Sequence, residues 1–425
     1  MSQNRGTAQL EPARAEPSIP TPSVASPAPS ARRSRITGRP ALYLLASLVV
    51  SLLAASAAPT PLYAIYQRMW GFTPITITIV FGVYAVAVLV ALLTLGRLSD
   101  SVGRRPVLLA ALAVQMLSMV VYATAGGVGE LMGARIIQGL ATGAALGAIG
   151  AGRLDVDRER GALANALSPV LGTGSGAIIS ALFVQFLPAP THLIYVALIG
   201  VFAAQAIGVA LLRETVTPVP VTRAVFVPEV RLPRAVRGPV LAAAPVLFAA
   251  WALAGLYAAL GPSIVQALTG SANVVLGAAS LTVLAVVAVS AVYLLRRVPA
   301  EAVLVWGIAG LVAGVAVTLI ALGIGSVTLF FAATAVSGVG FGAGFQGGIR
   351  SVVPLAEPHE RAGVLSLLFV ISYLGMGVPA VAAGFGATAG LGLLGAARVY
   401  GVALIVLAGL ALAGLRRTRG ARALA

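Results

Sequence analysis

Asp100 stands a few residues from Arg104 and Arg105 in the stretch Gly96-Arg97-Leu98-Ser99-Asp100-Ser101-Val102-Gly103-Arg104-Arg105. A carboxylate beside guanidinium groups forms a reversible ion pair, and it also accepts from the free N–H groups that open a neighbouring helix. Arg135 is the second chemically loaded residue. It lies in Glu130-Leu131-Met132-Gly133-Ala134-Arg135-Ile136-Ile137-Gln138-Gly139, a largely apolar run. A guanidinium held among apolar residues keeps its charge and is costly to place, so a functional role is the expectation for it. Glu130, five residues earlier, could reach it only loosely; His192 is the other titratable side chain near apolar depth. With no cysteine, thiol chemistry and disulfides are excluded. No metal-binding cluster, phosphate loop or nucleophile elbow is present, and the glycine-rich runs lie inside apolar segments rather than after a strand. No spanning segment offers a paired acid and base, so an enzyme is not expected.

The elements that must position these residues are membrane helices. Hydrophobic residues make up 59% of the 425 and charged residues 9%, against about 25% in a soluble domain. Runs long enough to cross a bilayer recur at 41–63, 75–96, 107–126, 129–151, 161–187, 192–213, 239–260, 272–295, 302–323, 326–349, 363–387 and 395–415. The expected fold is an all-α membrane protein of about twelve transmembrane helices in two six-helix halves, 39–213 and 239–415, joined by a polar loop at 214–238. Residues 1–38, rich in Pro, Ser and Ala, read as a disordered tail, and 416–425 as a second tail. All 28 basic residues are arginine. With the N-terminus inside, 25 of those 28, all but Arg68, Arg135 and Arg398, fall on the cytoplasmic side. That skew follows the positive-inside rule and implies a multi-pass protein of the plasma (inner) membrane with both termini cytoplasmic. It also accounts for the net charge of +16 without a nucleic-acid partner.

The loop 96–105 resembles the signature of the major facilitator superfamily, G-x-L-(S/A)-D-x-x-G-R-(R/K), with every defining position filled. Arg135-Ile136-Ile137-Gln138-Gly139 is similar to the family's fourth-helix pattern R-x-x-Q-G, whose arginine is implicated in ion coupling. The resemblance implies an alternating-access secondary transporter, with Asp100 bracing the first half against the eleventh helix. Gly96 would allow close packing on that helix, Gly103 would close the turn, and Arg104 would add cytoplasmic positive charge. Drug/proton antiporters carry G-P-x-x-G-G in the fifth helix; Leu171-Gly172-Thr173-Gly174-Ser175-Gly176 lacks the Gly-Pro pair. No carboxylate lies in the middle of a span either, so a facilitator without ion coupling stands beside a proton-coupled transporter.

The family's site lies at the midplane between the halves, on the first, fourth, seventh and tenth helices. The polar and aromatic residues there are Ser51, Gln138, Trp251, Tyr257 and Gln346, with Tyr373 on the eleventh. Such a wall suits a neutral or amphipathic solute. Tyr63 and Tyr66, beside Trp70, read as anchors at the membrane interface. The leading expectation is a bacterial exporter of a hydrophobic or amphipathic drug or metabolite, working as a monomer in the lipid bilayer without a cofactor. Uptake of a small polar nutrient, or a membrane sensor without flux, are the alternatives.

Overall fold

The computed structural model describes residues 36–228, 232–271, 273–357 and 360–423. In chain order its long helices are α1 (Gly38–Ala57), α2 (Pro74–Leu95), α3 (Arg104–Thr124), α4 (Val128–Val156), α5 (Arg158–Phe186) and α6 (Pro190–Ala210). After the connecting segment come α7 (Arg237–Ala259), α8 (Val274–Leu294), α9 (Ala300–Ile324), α10 (Val327–Val352), α11 (Arg361–Gly386) and α12 (Gly392–Ala423). Eleven stretches are long and apolar enough to cross a membrane. The last of these, Gly363–Ala413, runs 51 residues, more than twice the roughly 20 that one crossing needs. Its backbone leaves helical geometry at Ala389 and at Gly390, whose φ is +105°, so the stretch is two spans and the described total is twelve.

Local chemistry sets the ends. Asp157, Asn273 and Ser326 each accept from the N–H three residues on and cap α5, α8 and α10. The first span was expected to run to residue 63, but Pro59 and Pro61 cannot continue its hydrogen-bond ladder. The chain therefore turns at 58–62 and restarts as the short helix Tyr63–Trp70. A matching short helix, Gly261–Thr269, follows α7. At the other end α12 continues through residues 416–423, where a tail was expected. Of the tail expected at 1–38, residues 1–35 lie outside the described residues, and Gly38 already opens α1. Ile36 pairs by its backbone with Leu211 and Arg213, at the end of α6.

In lipid, helices associate by close packing rather than by escaping water. One buried cluster joins α1, α3, α4 and α6 through residues such as Leu52, Met119, Ile149 and Phe202. A second fills the α7–α12 half and reaches across to Tyr84, Val88, Val170 and Ala177 of α2 and α5. Two seams link the halves. Along α2 and α11, Gly82 meets Val381, Ala85 meets Gly377 and Thr78 meets Gly384. Along α5 and α8, Thr282 donates to the Gly174 carbonyl at 3.2 Å. By position along the helices, both seams lie at the middle and at the end remote from the arginine-rich loop 97–105.

Candidate functional site

Between the seams lies a cavity of about 80 Å³. Its aromatic wall is Phe81 and Tyr84 from the first half and Trp251, Phe341, Phe345 and Tyr373 from the second, with Ser56, Thr60, Thr173 and Met376 among the other lining residues. The Trp251 ring is 5.3 Å from that of Tyr373 and 5.4 Å from that of Phe345. The Trp251 indole N–H has no hydrogen-bond partner among the described residues, and the buried Tyr84 hydroxyl faces the side chains of Ser56 and Thr142.

Of the six residues expected to line a cavity, the structure brings Trp251 and Tyr373 to this one. Ser51 turns instead to α6, where Gln205 donates to it at 2.8 Å. Gln138 is wholly buried beside Arg135, and Gln346 donates to the Val292 carbonyl at 3.2 Å. Tyr257 is held within the second half by Thr334 and Thr318, at 3.1 and 3.4 Å. The fourth helix contributes nothing to the cavity lining; α2, α5, α8 and α11 do. Phe81 and Tyr84 escaped the sequence reading because α2 is apolar on every face, so no periodicity marks which side meets the partner half.

Arg135 sits behind the Ser56 and Tyr84 wall and is 0% exposed. Its Nε and Nη2 donate to the Tyr63 hydroxyl at 3.2 and 2.5 Å, and its Nη1 donates to the Ser56 carbonyl at 2.8 Å and to Gln138 Oε1 at 2.9 Å. The rings of Tyr63, Tyr84 and Tyr122 surround the guanidinium at 5.2–5.9 Å. Tyr122 stacks on Tyr195, whose hydroxyl meets that of Tyr66 at 3.2 Å. Tyr63 and Tyr66 are thus 4% and 2% exposed, parts of a buried cage rather than interface anchors. Their spacing, with Trp70 at the next turns of one helix face, was the signal for an inward stripe. Glu130 is exposed at the start of α4, and His192 is exposed and bound to Thr191. No carboxylate pairs with Arg135 among the described residues.

Loop 96–105 is built differently from its expected form. Arg104 pairs with Asp100, donates to Ser99 Oγ at 2.7 Å, and reaches Asp155 at 3.3 Å. The carboxylate that accepts from the opening N–H groups of α3 is not Asp100 but Glu214, bound to the Arg104 and Arg105 amides at 2.9 Å each. Partial burial raises the Glu214 carboxyl's affinity for a proton, but four backbone N–H donors outweigh it and hold the group below its ordinary range. Gly103, at φ +107°, has the conformation a side chain resists, and a Cβ there would lie 2.8 Å from Glu214. Gly96 packs on Gly147 of α4, rather than on α11: a Cβ at Gly147 would lie 2.7 Å from the Gly96 carbonyl oxygen. Arg153, expected in a loop, is 1% exposed in the last turn of α4 and binds Asn165, Ser168 and the Leu45 carbonyl.

Comparison with known proteins places this architecture. The family model of the Major Facilitator Superfamily matches residues 42–378. Citrate exporter 1 of Aspergillus niger is 33% identical over 129 residues, which is 29% of this chain and 24% of that protein; the chain thus matches about a quarter of the relative's length. The solved structure of the nucleoside transporter NupG superposes with a TM-score of 0.64 at 14% identity, covering 88% of this chain and 98% of the other. A bacterial homologue of the human lysosomal transporter Spinster, in an inward-facing and occupied conformation, gives 0.67 at 14% identity, covering 88% and 95%. Both likenesses speak to the fold alone. With the family model spanning most of the helical region and twelve spans arranged around a central cavity, the chain belongs to the Major Facilitator Superfamily and is a membrane transporter, not an enzyme.

Proposed function

We propose that the protein exports a hydrophobic or amphipathic small organic molecule by alternating access of the central cavity. The observation that carries this reading is the cavity itself. It is walled by both halves, largely apolar and aromatic, and it lies beside seams at the middle and one end of the helices. Rocking the halves about such a cavity would open the α2–α11 seam and close the opposite end. Asp100, Arg104 and Arg105 lie at that opposite end, which supports a role for their ion pair in biasing the gate. Loop 97–105 and the termini would be cytoplasmic, as the arginine distribution implies. The export direction rests on the export named for the Aspergillus niger relative. Glu130 and His192 stand apart from the cavity lining, which favours solute movement without proton coupling.

The test uses the chain's lack of cysteine. A Cβ on Gly377 would lie 3.3 Å from that of Ala85, close to disulfide geometry. In sealed vesicles, oxidising the Ala85→Cys/Gly377→Cys variant should stop the release of amphipathic dyes and small metabolites, and a reductant should restore it. Flux that ignores the cross-link would overturn alternating access at this seam.

A further inference from the structure

We propose that the solute carried in the central cavity is an organic anion, with Arg135 as its counter-charge. The inference deepens the transport reading above and rests on it. Arg135 is fully buried, and its surroundings are neutral: a tyrosine hydroxyl, a carbonyl, a glutamine and three rings. An arginine does not shed its proton to relieve burial. Of the twelve acids in the chain, those within the described residues all lie at helix ends or in connecting segments. The remaining three, Glu11, Glu16 and Glu229, precede α1 or lie between α6 and α7. The membrane-embedded positive charge is therefore left without a partner from the spans.

A second observation points the same way. A donor on a cavity-lining residue, the Trp251 N–H, is unpartnered among the described residues. Tyr84 is shared by cage and cavity, with its ring centroid 5.2 Å from the guanidinium carbon. In an apolar wall the field of Arg135 is weakly screened and extends across the cavity. A carboxylate entering there meets a positive potential and, at Trp251, a donor without a partner. An ammonium group meets the same charge with no acid to offset it. The Phe341 and Phe345 side of the cavity would hold the hydrocarbon part, so the anionic group points toward α1 and α2. The chemical class is an amphipathic organic monoanion, such as an aryl-alkyl carboxylate.

The experiment titrates the full-length protein with 4-phenylbutyrate, 4-phenylbutyramide and 4-phenylbutylamine, following tryptophan fluorescence. Trp251 is one of three tryptophans, and the Trp251→Phe variant identifies its share of the signal. The carboxylate should bind about tenfold or more tightly than the amide, with the amine weakest. Arg135→Gln should abolish that preference while Arg135→Lys keeps part of it. Tyr84→Phe, which preserves the packing, should weaken carboxylate binding about threefold and keeps the test sound if Arg135→Gln does not fold. Equal or tighter binding of the amide or amine overturns the anion inference and leaves the cavity reading standing. A preference that survives Arg135→Gln overturns the role of Arg135. No response to any of the three compounds overturns both readings.

Discussion

In α4 the eighth residue is Arg135, and in α10, which holds the corresponding place in the second half, the eighth is Thr334. Tyr122 and Thr318 are likewise the nineteenth residues of α3 and α9. In the first half Arg135 bonds Tyr63, which follows α1, while Tyr122 donates to Gln138; in the second Thr334 and Thr318 both bond Tyr257, near the end of α7. The backbone is repeated as well. Gly139 and Gly143 lie against α2, and Gly338 and Gly342 lie against α8 with the same spacing. The two halves thus agree where main chains approach closely and differ in the chemistry one turn away. Thr334, Thr318 and Tyr257 satisfy one another and form a neutral, closed group. The Arg135 cage carries a full charge beside the cavity and leaves it uncompensated. Loops at the end of the helices that carries residues 97–105 diverge in the same sense. Asp100, Arg104, Asp155 and Glu214 form a charged network in the first half, whereas in the second Arg350 donates, among the described residues, to the Leu295 and Val298 carbonyls.

If the contrast is right, Arg135→Ala has the largest effect. It strands the Tyr63 hydroxyl, Gln138 and the Ser56 carbonyl in a buried site. Thermal unfolding in detergent should show a loss of about 3 kcal/mol or more, and vesicle flux should vanish. Gly143→Val and Gly342→Val test the shared backbone. A Cβ at Gly143 would lie 2.7 Å from the Ala91 Cβ, and one at Gly342 2.9 Å from the Ala288 Cα. Both should destabilise by similar amounts, about 2 kcal/mol, and a large inequality would break the equivalence of the stripes.

Glu214→Gln should cost less, about 1 kcal/mol, by weakening the cap on α3. Because the carboxyl is held below its ordinary range, its contribution is present at neutral pH. It is lost only as pH falls beneath the usual glutamate value of about 4.3. A pH series of unfolding midpoints for the native and Glu214→Gln chains should therefore converge in acid. The smallest effect belongs to Thr334→Val, which keeps the shape and removes a neutral hydroxyl: roughly 0.5–1 kcal/mol, with flux retained. A Thr334→Val loss equal to that of Arg135→Ala would end the distinction between the halves.

Much of the fold was legible because membrane spans announce themselves locally. Each helix end lies within a few residues of its expectation, except where Pro59 and Pro61 break the first span and where α4 and α12 run on. The site was less legible. Trp251 and Tyr373 were placed at the cavity, but Ser51, Gln138, Tyr257 and Gln346 bond inside their own halves. A polar residue on a spanning helix has several faces available, and composition does not say which neighbour it will meet. Glu214 was passed over as a loop acid because its partners lie 110 residues away.

The sequence alone determined the helical membrane class, the count of spans, and the arginine that must find partners within apolar surroundings. These follow from bilayer thickness and the cost of burying charge, which act on each segment separately. Only the tertiary structure decided that Tyr63, Tyr84 and Tyr122 enclose that arginine, that Glu214 caps α3, and that α2, α5, α8 and α11 wall the cavity. Those contacts join distant segments. They depend on the rotation of each helix about its own axis, which the packing of neighbouring helices sets.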